Sequence, residues 1–158
     1  MSLFVLNIGF AVVFTTLLGQ GTIPSFLFGF FVGYLALWLS QPLYHDTRYF
    51  KKLPKAINLI GFFLRELAIS NLKVLWDIIT PGHINRPGII GVPLAARSDL
   101  EIFLVANLVS LTPGTLSVDV SKDRKILYVH IMFLDDVEQA RRDIKNGLEK
   151  RVLEVLRT

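Results

Sequence analysis

Cysteine is missing from the 158 residues. Its absence excludes disulfide staples, thiolate metal sites, iron–sulfur ligation and thiol nucleophiles. Charge is missing from a whole region: Met1 to Tyr44 contain no Asp, Glu, Lys, Arg or His, although 19% of the chain is charged. An uncharged stretch of that length is the mark of a membrane segment. Histidine is scarce as well. His45, His83 and His130 have no partner at i+3 or i+4, so no zinc or iron spacing forms and no metal or cofactor is expected. The serines sit in no Gly-x-Ser-x-Gly elbow, and the glycines build neither a phosphate loop nor a dinucleotide fingerprint. No catalytic residue is nominated, and an enzyme is not expected.

What is present divides the chain in three. Residues 1–44 hold an apolar stretch from Ser2 to Leu18, a break at Gly19 to Ser25, and a second stretch from Phe26 to Leu43. Each is near the minimum for the hydrocarbon core, and so short a break makes a transmembrane helical hairpin of antiparallel neighbours. A cleaved signal peptide is the alternative for such an N-terminus, but the basic leader is missing and Leu18-Gly19-Gln20 is a poor cleavage site. Gly29 and Gly33 form a Gly-x-x-x-Gly pattern that lets a helix approach closely.

Residues 45–87 begin with a basic loop of Arg48, Lys51, Lys52 and Lys55 within a net charge of +4. That cluster suits anionic lipid headgroups better than nucleic acid and marks its side as cytoplasmic. Trp38, Tyr44 and Tyr49 flank it at headgroup level. From Lys55 to Thr80 the pattern is helical, with Asn58, Arg65, Glu66, Ser70, Lys73 and Asp77 on one stripe. Two readings stay open: an amphipathic helix in the membrane interface, or a third span with its polar stripe against protein. Pro81-Gly82-His83 ends it, and a linker follows.

Residues 88–158 read as a soluble α+β domain in the order β-α-β-β-α, of ferredoxin-like type. Ile89 to Ala96 is a strand, and Ser98 with Glu101 supplies a capping box for a helix from Asp99 to about Leu111. Pro113-Gly114 stops that helix. Leu116, Val118 and Val120 then alternate with Thr115, Ser117 and Asp119 as a half-buried strand. Lys122 to Lys125 is a charged hairpin turn, and Ile126 to Phe133 returns. The final helix opens at Asp135 and Glu138, whose charges suit its N-terminus without any catalytic role, and shares a face of Val137, Ala140, Ile144, Leu148, Val152 and Val155.

The run Ala106-Asn107-Leu108-Val109-Ser110-Leu111-Thr112-Pro113-Gly114-Thr115, then Val118-Asp119 and Leu127-Tyr128-Val129-His130, resembles the E subunit of the multisubunit Mrp-type sodium/proton antiporter. With the apolar hairpin and the chain length, the resemblance covers nearly the whole chain. It implies a bacterial plasma-membrane complex whose larger subunits move sodium and protons, with this chain an accessory subunit. Its partners are then the other subunits and membrane lipids, and its N-terminus and C-terminal domain are cytoplasmic. Thr112, Pro113, Gly114, Thr115 and Asp119 are expected to form a turn that also shapes an assembly surface. Two alternatives remain. In one, Arg65, Glu66, Lys73 and Asp77 join an ion path at a subunit interface. In the other, the chain is a free-standing protein that binds anionic lipids.

Overall fold

The computed structural model describes residues 2–19, 21–43, 48–81 and 85–157. The expectations placed on Tyr44, His45, Gly82 and His83 fall outside them. The chain forms two compact units, Met1–Leu53 and Pro54–Thr158.

The first unit is a helical hairpin. Helix α1 (Leu3–Leu17) starts where the Ser2 hydroxyl accepts the Val5 N–H, and α2 (Ile23–Leu39) starts on Thr22 with Pro24 in its first turn. There its missing N–H costs nothing. The helices have 15 and 17 residues, or about 22 and 25 Å at 1.5 Å per residue. Both are shorter than the apolar stretches: Ser2 and Leu18 are caps of α1, and α2 starts three residues before Phe26 but ends at Leu39, after which the chain tightens into a 3₁₀ turn at Gln41–Leu43. Among the described residues no helix is long and apolar enough to cross a membrane.

Gly29 and Gly33 are buried in this hairpin. A Cβ on Gly29 would come within 3.0 Å of the Phe14 side chain, and one on Gly33 would overlap Asn7 Oδ1. Both glycines are therefore spent on α1 of the same chain. Asn7 is fully buried, donates to Tyr49 Oη at 2.7 Å and leaves its own Oδ1 without a partner.

Helix α3 (Arg48–Ile79) has 32 residues. The expected basic loop is its first two turns: Arg48, Lys51, Lys52 and Lys55 are helical, and Pro54 lies inside the helix. Pro54 is the seventh residue of α3, where its ring has no N–H for the Phe50 carbonyl and crowds it, yet the helix runs on to Ile79.

Within the second unit, β1 (Gly88–Pro93), β2 (Thr115–Val120) and β3 (Ile126–Ile131) form an antiparallel sheet in the order β1-β3-β2. The first strand ends at Pro93, earlier than expected, and Leu94 pairs back to the Lys125 carbonyl at 2.7 Å. Helix α4 (Asp99–Ser110) carries the full Ser98–Glu101 capping box. The last helical stretch starts on Asp136 as α5 (Val137–Ile144), widens to a π turn at Lys145–Glu149 and continues as α6 (Lys150–Leu156). The core joins Ile90, Val92, Leu127 and Val129 of the sheet to Val105 and Val109 of α4 and to Leu148 and Val152, with Leu59, Phe62 and Phe63 of α3 against it.

Strand β2 faces the opposite way from its alternation. Thr115 and Ser117 turn inward and Leu116 and Val118 outward, each of the latter more than half exposed. Ser117 Oγ donates to the Ala106 carbonyl at 2.8 Å, and Ser117 N–H donates to Ser110 Oγ at 3.0 Å. The Ser117 hydroxyl finds an acceptor on α4, and the Ser110 hydroxyl satisfies an amide of the edge strand β2. A bulge between Ser117 and Asp119 then returns Val120 to the core.

Candidate functional site

The Thr-Pro-Gly turn is built by the C-terminus of α4. Four carbonyls at a helix end lack intrahelical donors. Here Thr112 Oγ1 donates to the Leu108 carbonyl at 3.0 Å, and Thr115 Oγ1 donates to the Val109 carbonyl at 2.6 Å. Pro113 prevents the helix from continuing. Gly114 sits at φ +84°, a left-handed value that strains any L side chain. Its carbonyl accepts the Met132 N–H at 2.8 Å, tying the turn to the end of β3.

This turn closes one wall of a pocket of about 180 Å³. The floor is apolar, from Val109, Ile131, Ile144 and Leu148, and the opposite wall is α3, through Phe62, Glu66, Ser70 and Lys73. Two sets of residues singled out separately in sequence thus meet: Thr112, Pro113, Gly114 and Thr115 from the turn, Glu66 and Lys73 from the polar stripe.

The remaining candidates lie elsewhere. Arg65 is 68% exposed and pairs with the adjacent Glu66 at 3.4 Å. Asp77 is only 2% exposed and accepts from Asn85 Nδ2 at 3.2 Å. Asp119 is exposed at the bulge and accepts its own neighbour's N–H, from Val120, at 2.7 Å. Arg48, Lys51, Lys52 and Lys55 belong to the start of α3, and none of them lines the pocket. No group of three or more metal-ligating side chains occurs among the described residues.

Sequence reasoning missed two features. Asp143 adds a third ionisable group to the pocket, and its position beside Ile144 on the last helix was the available signal. The second is a carboxylate clamp on the loop after β1. Buried Glu149 accepts the Ala95 and Ala96 N–H groups at 2.6 and 3.0 Å. Glu101 accepts from Arg97 N–H at 2.7 Å and from Arg157 Nε at 2.8 Å. The Arg157 guanidinium, followed by the Arg97 and Ser98 amides, holds the Glu101 carboxyl down to about 2. Nothing in the sequence marks Glu149, because the π turn moves it off the regular helical face.

Solved complexes contain chains similar to this one over most of its length. A chain of the Mrp complex from Dietzia matches with a TM-score of 0.50 and 28% identity, over 65% of this chain and 96% of that one. A chain of an archaeal respiratory membrane complex, the membrane-bound sulfane sulfur reductase, shares the fold over 96% of this chain and 98% of its own, with a TM-score of 0.57 and 21% identity. The family model described as Na+/H+ ion antiporter subunit matches residues 7–155, and the chain belongs to that family. The antiporter E subunit of Alkalihalophilus pseudofirmus is 35% identical over 150 residues, covering 95% of both chains. The E subunit of Bacillus subtilis is 35% identical over 152 residues, covering 96% of both. The other subunits of such an antiporter are its partners.

Proposed function

We propose that this chain is an accessory subunit of a sodium/proton antiporter that carries no ion itself. In this reading the hairpin anchors it in the bacterial plasma membrane. Its N-terminus and α+β domain lie on the cytoplasmic side, where the domain braces the larger subunits. The observation that carries the proposal is where the ionisable side chains go. Between Leu3 and Leu39 there is no Asp, Glu, Lys, Arg or His, and ion or proton paths at membrane depth ordinarily use such groups. Part of the polar stripe of α3 turns to the chain's own domain, with Asp77 buried against Asn85 and Glu66 and Lys73 at the Thr-Pro-Gly pocket, while Arg65 stays exposed.

Membrane anchoring is supported by the hairpin's outer surface. Phe4, Phe10, Val13, Leu27, Phe28 and Phe31 are each at least two-fifths exposed, a surface that suits lipid and not water. Helices of 15 and 17 residues fall short of a hydrocarbon core of about 30 Å, and a bilayer accommodates such a mismatch by thinning locally.

The test uses the assembled complex in vesicles. Glu66→Gln and Lys73→Met are expected to shift apparent sodium affinity by less than about twofold, or ~0.4 kcal/mol. A tenfold shift, about 1.4 kcal/mol, at unchanged complex yield would transfer these residues to an ion path and sink the proposal. Deleting residues 81–158 is expected to lower the amount of complex on native gels. Normal assembly and pumping after that deletion would defeat the bracing role.

A further inference from the structure

Helix α3 has a second face that its own domain does not use. Ile57, Ile60, Leu64, Leu72, Leu75 and Ile79 are each more than half exposed. At about 100° per residue they fall within one 120° sector. Gly61, Ala68 and Asn71 share it, and Asn71 turns one amide N–H back to the Leu67 carbonyl at 2.9 Å. The stripe is therefore an aliphatic strip from Ile57 to Ile79, about 33 Å long.

The opposite face is covered by the α+β domain. Arg151 reaches Asn58 Oδ1 at 3.3 Å and lies 3.8 Å over the Phe62 ring, which also packs on Gly147. Further along, Glu66, Ser70 and Lys73 line the pocket with Asp143, and Asp77 is held by Asn85. From Leu59 to Lys73 the length that faces the domain is about 21 Å. A helix so covered cannot stand across a bilayer, because Arg151, Asp143 and the polar surface around them would be drawn to hydrocarbon depth. Charge at that depth is strongly disfavoured.

We infer that α3 lies flat in the membrane surface, with the strip from Ile57 to Ile79 pressed against acyl chains and the α+β domain mounted on its back. The inference rests on the membrane residence proposed above. Lipid is the occupant the strip fits. Its side chains are bulky and aliphatic, and it has no pair of small residues four apart to seat a neighbouring helix backbone. Exposed Arg65 and Trp76 stand on one flank, where amphipathic side chains meet headgroups. The helix also opens with Arg48, Lys51, Lys52 and Lys55, matched to anionic lipid.

The chain has no cysteine, so single nitroxide labels can be placed by Leu64→Cys, Leu72→Cys and Leu75→Cys, all at exposed positions. The complex is reconstituted in phosphatidylethanolamine/phosphatidylglycerol vesicles, and label depth is read from relaxation by oxygen against a nickel chelate. All three labels are expected at one shallow depth, about 5–10 Å below the headgroups. Depth that climbs toward ~15 Å at the helix midpoint would mean a span and overturn the inference. Labels reached by neither reagent would mean a protein covers the strip, and labels reached freely by nickel would mean water; either overturns it. Recovery of the chain in the soluble fraction would instead overturn membrane residence itself.

Discussion

Replacing Glu149 should cost the second unit a large share of its stability. Glu149 is 1% exposed, and its Oε1 accepts two backbone N–H groups, from Ala95 at 2.6 Å and Ala96 at 3.0 Å. Glu149→Ala leaves the buried Ala96 N–H without this partner, at about 1–3 kcal/mol, and the part-buried Ala95 N–H at the lower end of that range. Relief from burying a carboxylate offsets part of this, so a net loss of about 2–4 kcal/mol is expected. For a domain near 100 residues, 1 kcal/mol lowers Tm by about 4 °C at the least, so the drop is on the order of 8–16 °C. Glu149→Gln keeps one carbonyl oxygen in the same place and loses only the charge assistance, which roughly halves each bond, for about 1 kcal/mol. Far-ultraviolet circular dichroism of the detergent-purified chain during heating measures both variants. If Glu149→Ala melts within about 2 °C of the parent, or if Glu149→Gln is as damaging as alanine, the clamp is not what holds the loop.

Two further outcomes are expected. Gly33→Ala places a methyl group on Asn7 Oδ1 and within 3.1 Å of Phe10 Cβ, so the hairpin must splay, at about 1–3 kcal/mol for an overpacked contact. Distances between spin labels on α1 and α2 should lengthen, and unchanged distances would disprove the close approach. Glu101 has its pKa lowered to about 2 when folded, first of all by Arg157. Its stabilising effect is therefore complete above the ordinary carboxyl range and is lost as pH falls from about 4.5 toward 2. Urea unfolding between those pH values should weaken with acid in the parent and weaken less in Arg157→Met, and identical slopes would refute the pairing.

Local signals were legible in the sequence wherever a residue's partner lies a few positions away. Ser98 and Glu101 are three apart and form the expected capping box. The Thr-Pro-Gly stop and the charged turn at Lys122 to Lys125 also sit where spacing places them, although Arg124, not a glycine, takes the positive φ there. Distant partners were not legible. The alternation of β2 is symmetric, so nothing local tells that Ser117 will find a carbonyl on α4 eleven residues back and turn Leu116 outward. The helical pattern reads from Lys55, yet α3 begins seven residues earlier, at Arg48, and takes in the basic run. For the candidate site, periodicity placed Glu66, Lys73 and Asp77 on one stripe, but which of them faces the turn depends on how α3 seats on the domain. Gly29 and Gly33 advertise a close helix contact without naming the helix.

The inward turn of Thr115 and Ser117 has a cost on the other side of the sheet. Ile89, Leu116, Val118 and Tyr128 stand outward, each more than a third exposed. Chaperones and quality-control proteases recognise apolar surface of this kind. A copy synthesised in excess of its partner subunits carries that surface bare, so its lifetime in the cell should follow the supply of those partners more closely than its own folding free energy.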